Sequence, residues 1–383
     1  MTQDLIFTNA VLVLADETVA GTILVRDGRI ADIAAGTTAA RGHVEDLEGD
    51  YLLPGLVELH TDHLEGHFSP RPKVRWNPHA AVQAHDAQIA ASGITTVFDA
   101  LRVGTADGDF DLHTSDMLTL ADAIDIGNRQ GRLRADHLLH LRCEVSAPDC
   151  LESFEKFEGN PRVRLASLMD HAPGQRQFAN LDAYKVYYQG KMGMSDPEFE
   201  VFCAERIAQS QAYSDRQRTA IASRAREHGI ILASHDDATT DHVDEAVENG
   251  VRVAEFPTTI DAARASRAAD MSVLMGAPNV VRGGSHSGNI AARSLAEVGM
   301  LDILSSDYIP FSLLQSLFML QEQVDSIALP QAVAMASRNP ARAVGLDDRG
   351  EIDTGRRADL IRVHHDEHGP VVRTVWNQGR RVV

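Results

Sequence analysis

Short apolar runs of four to eight residues alternate with Ala-, Arg- and Glu-rich stretches of helical period through most of the chain. The pattern predicts strands at 55–60, 95–99, 137–144, 163–169, 230–234, 252–255, 280–282 and 301–305. It predicts helices at 79–91, 117–130, 198–228, 240–248, 262–271, 289–297 and 331–336, and Pro340 in Ser337-Arg338-Asn339-Pro340 is expected at a helix boundary. Eight strands with intervening helices favour an α/β architecture closed as a (β/α)8 TIM-like barrel over an open doubly wound sheet.

The two chain ends have a different rhythm. Leu5-Ile6-Phe7 and the runs 10–14 and 21–25 precede Arg26-Asp27-Gly28, a hairpin turn leading into 29–33. That sheet is too small to stand alone, and the runs 358–363 and 370–376 are its expected completion. The organisation expected is a split small β-sandwich domain from 1–52 and 346–383, with the barrel, 53–345, inserted between its halves. A two-domain chain with its termini in separate units is the alternative.

Composition narrows the chemistry. The 383 residues carry Asp+Glu 55 against Lys+Arg 36, a formal net charge of -19, which opposes a tracker of nucleic-acid phosphates but leaves a small anionic substrate open. Cys143, Cys150 and Cys203 are too few for a disulfide scaffold and include no CxxC pair. No apolar run reaches the roughly 18 residues of a membrane span, and the opening MTQDLIFTNAVLVL has no basic n-region and reads as a strand. A cytoplasmic protein is the default expectation, and a homodimer the commonest assembly.

Position then points to function. Barrel strands open their C-terminal ends onto one face, and here those ends carry His60 and Asp62, Glu144, Asp170-His171, His235, Glu255 and Asp307. His60 and Asp62 are two apart, so an extended backbone puts them on one side. Imidazole and carboxylate without sulfur suit one or two divalent ions, zinc favoured and manganese, iron or nickel compatible. Candidate ligands are His60, Asp62, Glu144, His171, His235, Glu255 and Asp307, with Glu144 the candidate bridge and Asp307 the candidate acceptor of a proton from the attacking water. This chemistry is hydrolytic.

The neighbouring loops are basic: Arg71, Lys73 and Arg75 after the first strand, Arg176, Lys185 and Lys191 after the fourth, and Arg282-Gly283-Gly284-Ser285-His286-Ser287-Gly288-Asn289 after the seventh. The last resembles an anion nest, with bare backbone N–H groups, hydroxyls and a following helix start. Grouped on one face, these cations suit a polyphosphate, with Arg282 and Ser285 binding it and His286 or Arg282 stabilising the leaving oxygens.

Tyr51-Leu52-Leu53-Pro54-Gly55-Leu56-Val57-Glu58-Leu59-His60 and 350–360, Gly-Glu-Ile-Asp-Thr-Gly-Arg-Arg-Ala-Asp-Leu, resemble the amidohydrolase superfamily signature, and the resemblance covers nearly the whole chain. The stretch 58–67, the 71–79 loop and the 282–289 loop resemble its α-D-ribose 1-methylphosphonate 5-triphosphate diphosphatase branch. That resemblance implies metal-dependent release of pyrophosphate, leaving a 5-phosphate for the carbon–phosphorus lyase components of phosphonate metabolism. Two departures stand out: His60-Thr61-Asp62 replaces the usual His-x-His, leaving Asp62 or His63 as the ligand, and Glu255 stands where many members place a sixth-strand histidine. A carbamylated Lys185 is the alternative bridge to Glu144. A cyclic amide hydrolase or deaminase on the same barrel is the alternative function, and a non-catalytic metal-binding partner of a phosphonate complex a further one.

Overall fold

The computed structural model describes residues 4–37, 43–104, 112–176, 184–185, 188–189, 193–285 and 288–383. Both chain ends build one sheet. Its strands are β1 (Leu5–Val13), β2 (Thr18–Arg26), β3 (Arg29–Ala35), β4 (His43–Asp46) and β5 (Tyr51–Pro54). The order β16-β15-β14-β5-β1-β2-β3, with β4 on β1, joins them to β14 (Leu360–Asp366), β15 (Gly369–Asn377) and β16 (Arg380–Arg381). Asp27 and Gly28 both have positive φ, as a two-residue hairpin between twisted strands requires. The seam between the ends is β5 against β14, Leu360 opposite Pro54, and edge-on packing of Phe7 on Trp376 at 4.5 Å buries it.

The barrel strands are β6 (Leu56–Thr61), β7 (Ile94–Val103), β8 (Asp136–Glu144), β9 (Val163–Met169), β10 (Ile231–His235), β11 (Val253–Glu255), β12 (Ser272–Gly276) and β13 (Ile303–Ser305). They pair in parallel, in sequence order. Parallel strands need long crossovers, and the helical stretches supply them. Closure between β13 and β6 runs through a Thr61–Asp307 bridge and through Glu58. The buried Glu58 carboxylate accepts from the His60 amide at 2.6 Å and the Ser305 hydroxyl at 2.7 Å. Gly55 is the single residue between the two sheets, and a Cβ there would run into the Thr95 side chain.

One strand lies elsewhere than the hydrophobic pattern predicts. The seventh is Ser272–Gly276, and the apolar run expected at 280–282 belongs to the helix Ala277–Arg282. Pro278 sits in that helix's first turn, where its missing N–H has no intrahelical partner to lose. Pro340 likewise lies in the first turn of a helix, Arg338–Ala343.

Val57, Leu59, Phe98, Leu165, Ala233, Val253, Leu274 and Ile303 fill the barrel interior. Side chains therefore alternate between this interior and the helices outside. Two of those helices bear on the site, α1 (His63–Phe68), which starts as β6 ends, and α2 (Pro78–Ala91), capped by the Asn77 side chain. Among the described residues no helix is long and apolar enough to cross a membrane.

Candidate metal centre

The strand ends converge. His60 and His235, on β6 and β10, stack with ring centroids 5.6 Å apart, and Glu255 from β11 lies between them. Glu255 Oε2 stands 3.2 Å from Nδ1 of each ring and also accepts from the Ser167 hydroxyl at 2.7 Å. Burial alone would raise the Glu255 carboxyl, but the surrounding His60, His140 and His235 imidazoles hold it well below the ordinary carboxylate range. An ionised carboxylate only accepts, so both Nδ1 atoms donate, which in a neutral ring leaves Nε2 as the ligand nitrogen. Burial keeps His235 neutral, with a pKa lowered to about 3.

The second half is built from β8 and β9. His140, Arg142 and Glu144 alternate along β8 and share its inward face. Glu144 accepts from His171 Nδ1 at 2.6 Å and from the Ser146 hydroxyl at 2.6 Å. Burial opposes ionisation there, but His171 outweighs it and takes the Glu144 pKa down to about 2. The His171 ring lies 5.5 Å from that of His235, and His171, His235 and Asp236 form one group of metal-competent donors. Arg142 reaches Asp62 Oδ2 at 3.1 Å.

Three strand ends turn sharply to aim their side chains. Asp236, Phe256 and Asp307 follow β10, β11 and β13 and all have positive φ, 57, 53 and 53°. This left-handed conformation is unfavourable for side-chain-bearing residues and is held here by the surrounding barrel. Burial, reinforced by the nearby Asp62 charge, raises Asp307 to about 6. Burial raises Asp236 to about 6 as well, against the pull of His171 and Arg176.

The seven candidate ligands from the sequence thus occupy one mouth, joined through Glu255, through Arg142 on Asp62, through the His171–Glu144 pair beside His235, and through the Asp62 and His60 charges felt by Asp307. The raised Asp236 and Asp307 carboxyls, set among imidazole nitrogens and the Arg142 guanidinium, fit a divalent cation. Asp236, Arg142 and His140 belong to the same constellation although the sequence reading did not select them. The alternation of His140, Arg142 and Glu144 carried the signal for two of them. His63 departs from the mouth as the first residue of α1.

The basic residues are more dispersed. Arg71, Lys73 and Arg282 are exposed. Arg75 is half-buried, pairs with Asp116 at 3.2 Å and reaches the Ser69 hydroxyl at 3.3 Å. Arg176 is buried and bonded to Asp237 and to Glu245, the latter at 2.6 Å. Lys185 pairs with Asp196 at 2.8 Å. Ser285 is half-buried at the close of the turn after Arg282, while His286 and Lys191 lie outside the described residues.

Known proteins resemble this chain. The model of the amidohydrolase family matches residues 79–383. The chain is 48% identical over 379 residues, 99% of its length and 100% of the relative's, to an α-D-ribose 1-methylphosphonate 5-triphosphate diphosphatase from Escherichia coli (strain K12). It is 25% identical to an imidazolonepropionase from Deinococcus deserti, over 94% of this chain and 91% of that one. Among solved structures it resembles an N-acetyl-D-glucosamine-6-phosphate deacetylase from Mycobacterium smegmatis, with a TM-score of 0.65, 17% identity and 99% of both chains covered. A 5-methylcytosine deaminase from Klebsiella pneumoniae gives 0.66 at 14% identity, over 99% of this chain and 97% of that one. The deacetylase and deaminase likenesses carry the fold; the family match and the full-length diphosphatase relative carry membership. The chain belongs to the amidohydrolase family.

Proposed function

We infer that this chain is a metal-dependent diphosphatase that adds water to α-D-ribose 1-methylphosphonate 5-triphosphate and releases pyrophosphate and the 5-phosphate. The observation that carries the reading is the 48% identity to a diphosphatase of that name across 99% of the chain. The barrel-mouth donor set supports it, because attack at phosphorus needs an activated water and stabilised leaving oxygens.

His60, His235, His171, Asp62, Glu144 and Asp307 would hold the metal, zinc being the proposed ion and Glu144 the proposed bridge. When bound, a divalent ion supplies Lewis acidity and makes water a stronger acid. Glu255 orients the His60 and His235 rings through their Nδ1 protons, and Arg142 holds the Asp62 carboxylate. Asp307, with its pKa near 6, is ionised at neutral pH yet basic enough to take a proton from the attacking water at its carboxylate. Arg71, Lys73, Arg75, Arg282, Ser285, Lys191 and His286 are the proposed contacts to the triphosphate. Arg176 and Lys185, already engaged by acids, belong to the same proposed set. Delivery of the product to a carbon–phosphorus lyase, a cytoplasmic location and a homodimer belong to the same proposal.

The deciding experiment incubates metal-reconstituted protein with the triphosphate and follows products by ³¹P NMR. Pyrophosphate and 5-phosphate formed together, and abolished by a chelator, support the reading. Intact substrate in the presence of bound metal overturns it. Cyclic amides and aminated bases would then be screened for chemistry at carbon.

A further inference from the structure

A second group of imidazoles lies on the outer side of the barrel wall. His63 and His67 are four apart on α1 and so share a face, and α2 brings His85 against them. Ring centroids are 4.8 Å apart for His63 and His67, 5.8 Å for His63 and His85, and 6.0 Å for His67 and His85. Each ring offers a nitrogen within 4.8 Å of those of the other two. His63 Nδ1, His67 Nε2 and His85 Nδ1 are all shielded from solvent without a hydrogen-bond partner. Three such nitrogens in one cluster are costly, since each has given up its hydrogen bonds to water without a replacement.

The layer behind His85 explains which of its nitrogens is free. His85 Nε2 lies 2.7 Å from Asp99 Oδ1, and Asp99 Oδ2 lies 2.8 Å from His137 Nδ1. His137 Nε2 in turn faces Asp86 at 3.3 Å. Buried Asp99 stays ionised, its pKa taken down to about 2 by His137 and His85 against the effect of burial. It accepts from His85 Nε2–H, and a neutral ring then carries its lone pair on Nδ1, the atom without a partner. A carboxylate behind an imidazole is the usual support of a metal-ligating histidine.

We propose that His63, His67 and His85 form a second metal site, separate from the barrel mouth, that takes a zinc-class divalent ion on three imidazoles. The geometry agrees in scale. Metal–nitrogen distances of about 2.0–2.1 Å put tetrahedral ligand rings with centroids about 5 Å apart. His63 and His67 are half-buried and His85 is buried. The two centres use opposite faces of β8: His140, Arg142 and Glu144 point into the barrel, while His137 points out to Asp99. An ion here would pin α1, whose N-cap is Asp62.

The test counts metal in the full chain, without turnover. Chelator-stripped protein is re-equilibrated with zinc at a buffered free concentration, desalted and assayed by elemental analysis, for wild type, His67→Gln and the barrel-mouth variant His235→Asn. The expected result is one equivalent fewer in His67→Gln than in wild type, with the equivalent lost in His235→Asn being a different one, so that the double variant loses both. Cobalt titration of the wild type and of His235→Asn gives a check that does not depend on folding of the His67 variant. An imidazole-ligated cobalt band must persist in His235→Asn. Equal zinc content in wild type and His67→Gln, losses that coincide rather than add, or absence of that band would each overturn the second site.

Discussion

Replacing Glu255 by Gln isolates the role of one carboxylate. Its Oε2 is 3.2 Å from both His60 Nδ1 and His235 Nδ1 and thus sets the orientation of two rings at once. Gln keeps an acceptor oxygen of similar reach but removes the charge. Each imidazole bond then falls from the charge-assisted class, about 1.5–3 kcal/mol, to the neutral class near 1 kcal/mol. Two bonds weakened by about 1 kcal/mol apiece lower metal affinity by roughly 30-fold, inside the 10–100-fold range typical of an orienting partner. The assay is competition for zinc against a chromophoric chelator at neutral pH, followed by kcat/KM at saturating metal. Affinity within about threefold of wild type would refute the orienting role. A loss beyond about a thousandfold would also refute it, by making Glu255 itself a ligand.

Asp307→Asn, reconstituted to wild-type metal content, should lower kcat/KM about 10²–10⁴-fold through loss of the proton acceptor; unchanged kcat/KM on the triphosphate removes Asp307 from the chemistry. The folded-state pKa values of Asp236 and Asp307, near 6, lie above the ordinary 3.8. The stability they contribute to metal-free protein is therefore complete below about pH 4 and is lost as pH rises through about 6. Saturating divalent metal should accordingly raise Tm more at about pH 7.5 than at about pH 5 by calorimetry, and an equal gain would contradict the crowded-carboxyl account. Gly55→Ala should destabilise the fold by about 1–3 kcal/mol, seen as a lowered Tm, because the buried Thr95 side chain occupies the space a Cβ needs.

Much of the barrel was legible in the sequence because parallel strands buried on both faces are continuous apolar runs, and the intervening helices have their own period. The 163–169 strand and the 240–248 helix have the bounds that the pattern predicts. The seventh strand was not legible. Ser272–Gly276 and the Val280–Arg282 run are both short and apolar, and length alone does not separate them. Pairing does, since Leu274 lies opposite Glu255 on one side and Ile303 on the other, and Gly276 opposite Ser305.

The same division holds for the two sites. From the sequence alone came the strand-end acids and histidines, the His60–Asp62 spacing and the return of the C-terminal strands to an N-terminal sheet, because each follows from a local period or a chain position. Only the tertiary structure decided that Glu255 lies between two imidazoles, that Arg142 is set among the acids, and that Arg176 is already engaged by Asp237 and Glu245. It also brought His85 to His63 and His67 across the packing of α2 on α1. Those relations join residues far apart in the chain. They exist once closure of the barrel has fixed which face of each strand looks inward, and no local spacing encodes that choice.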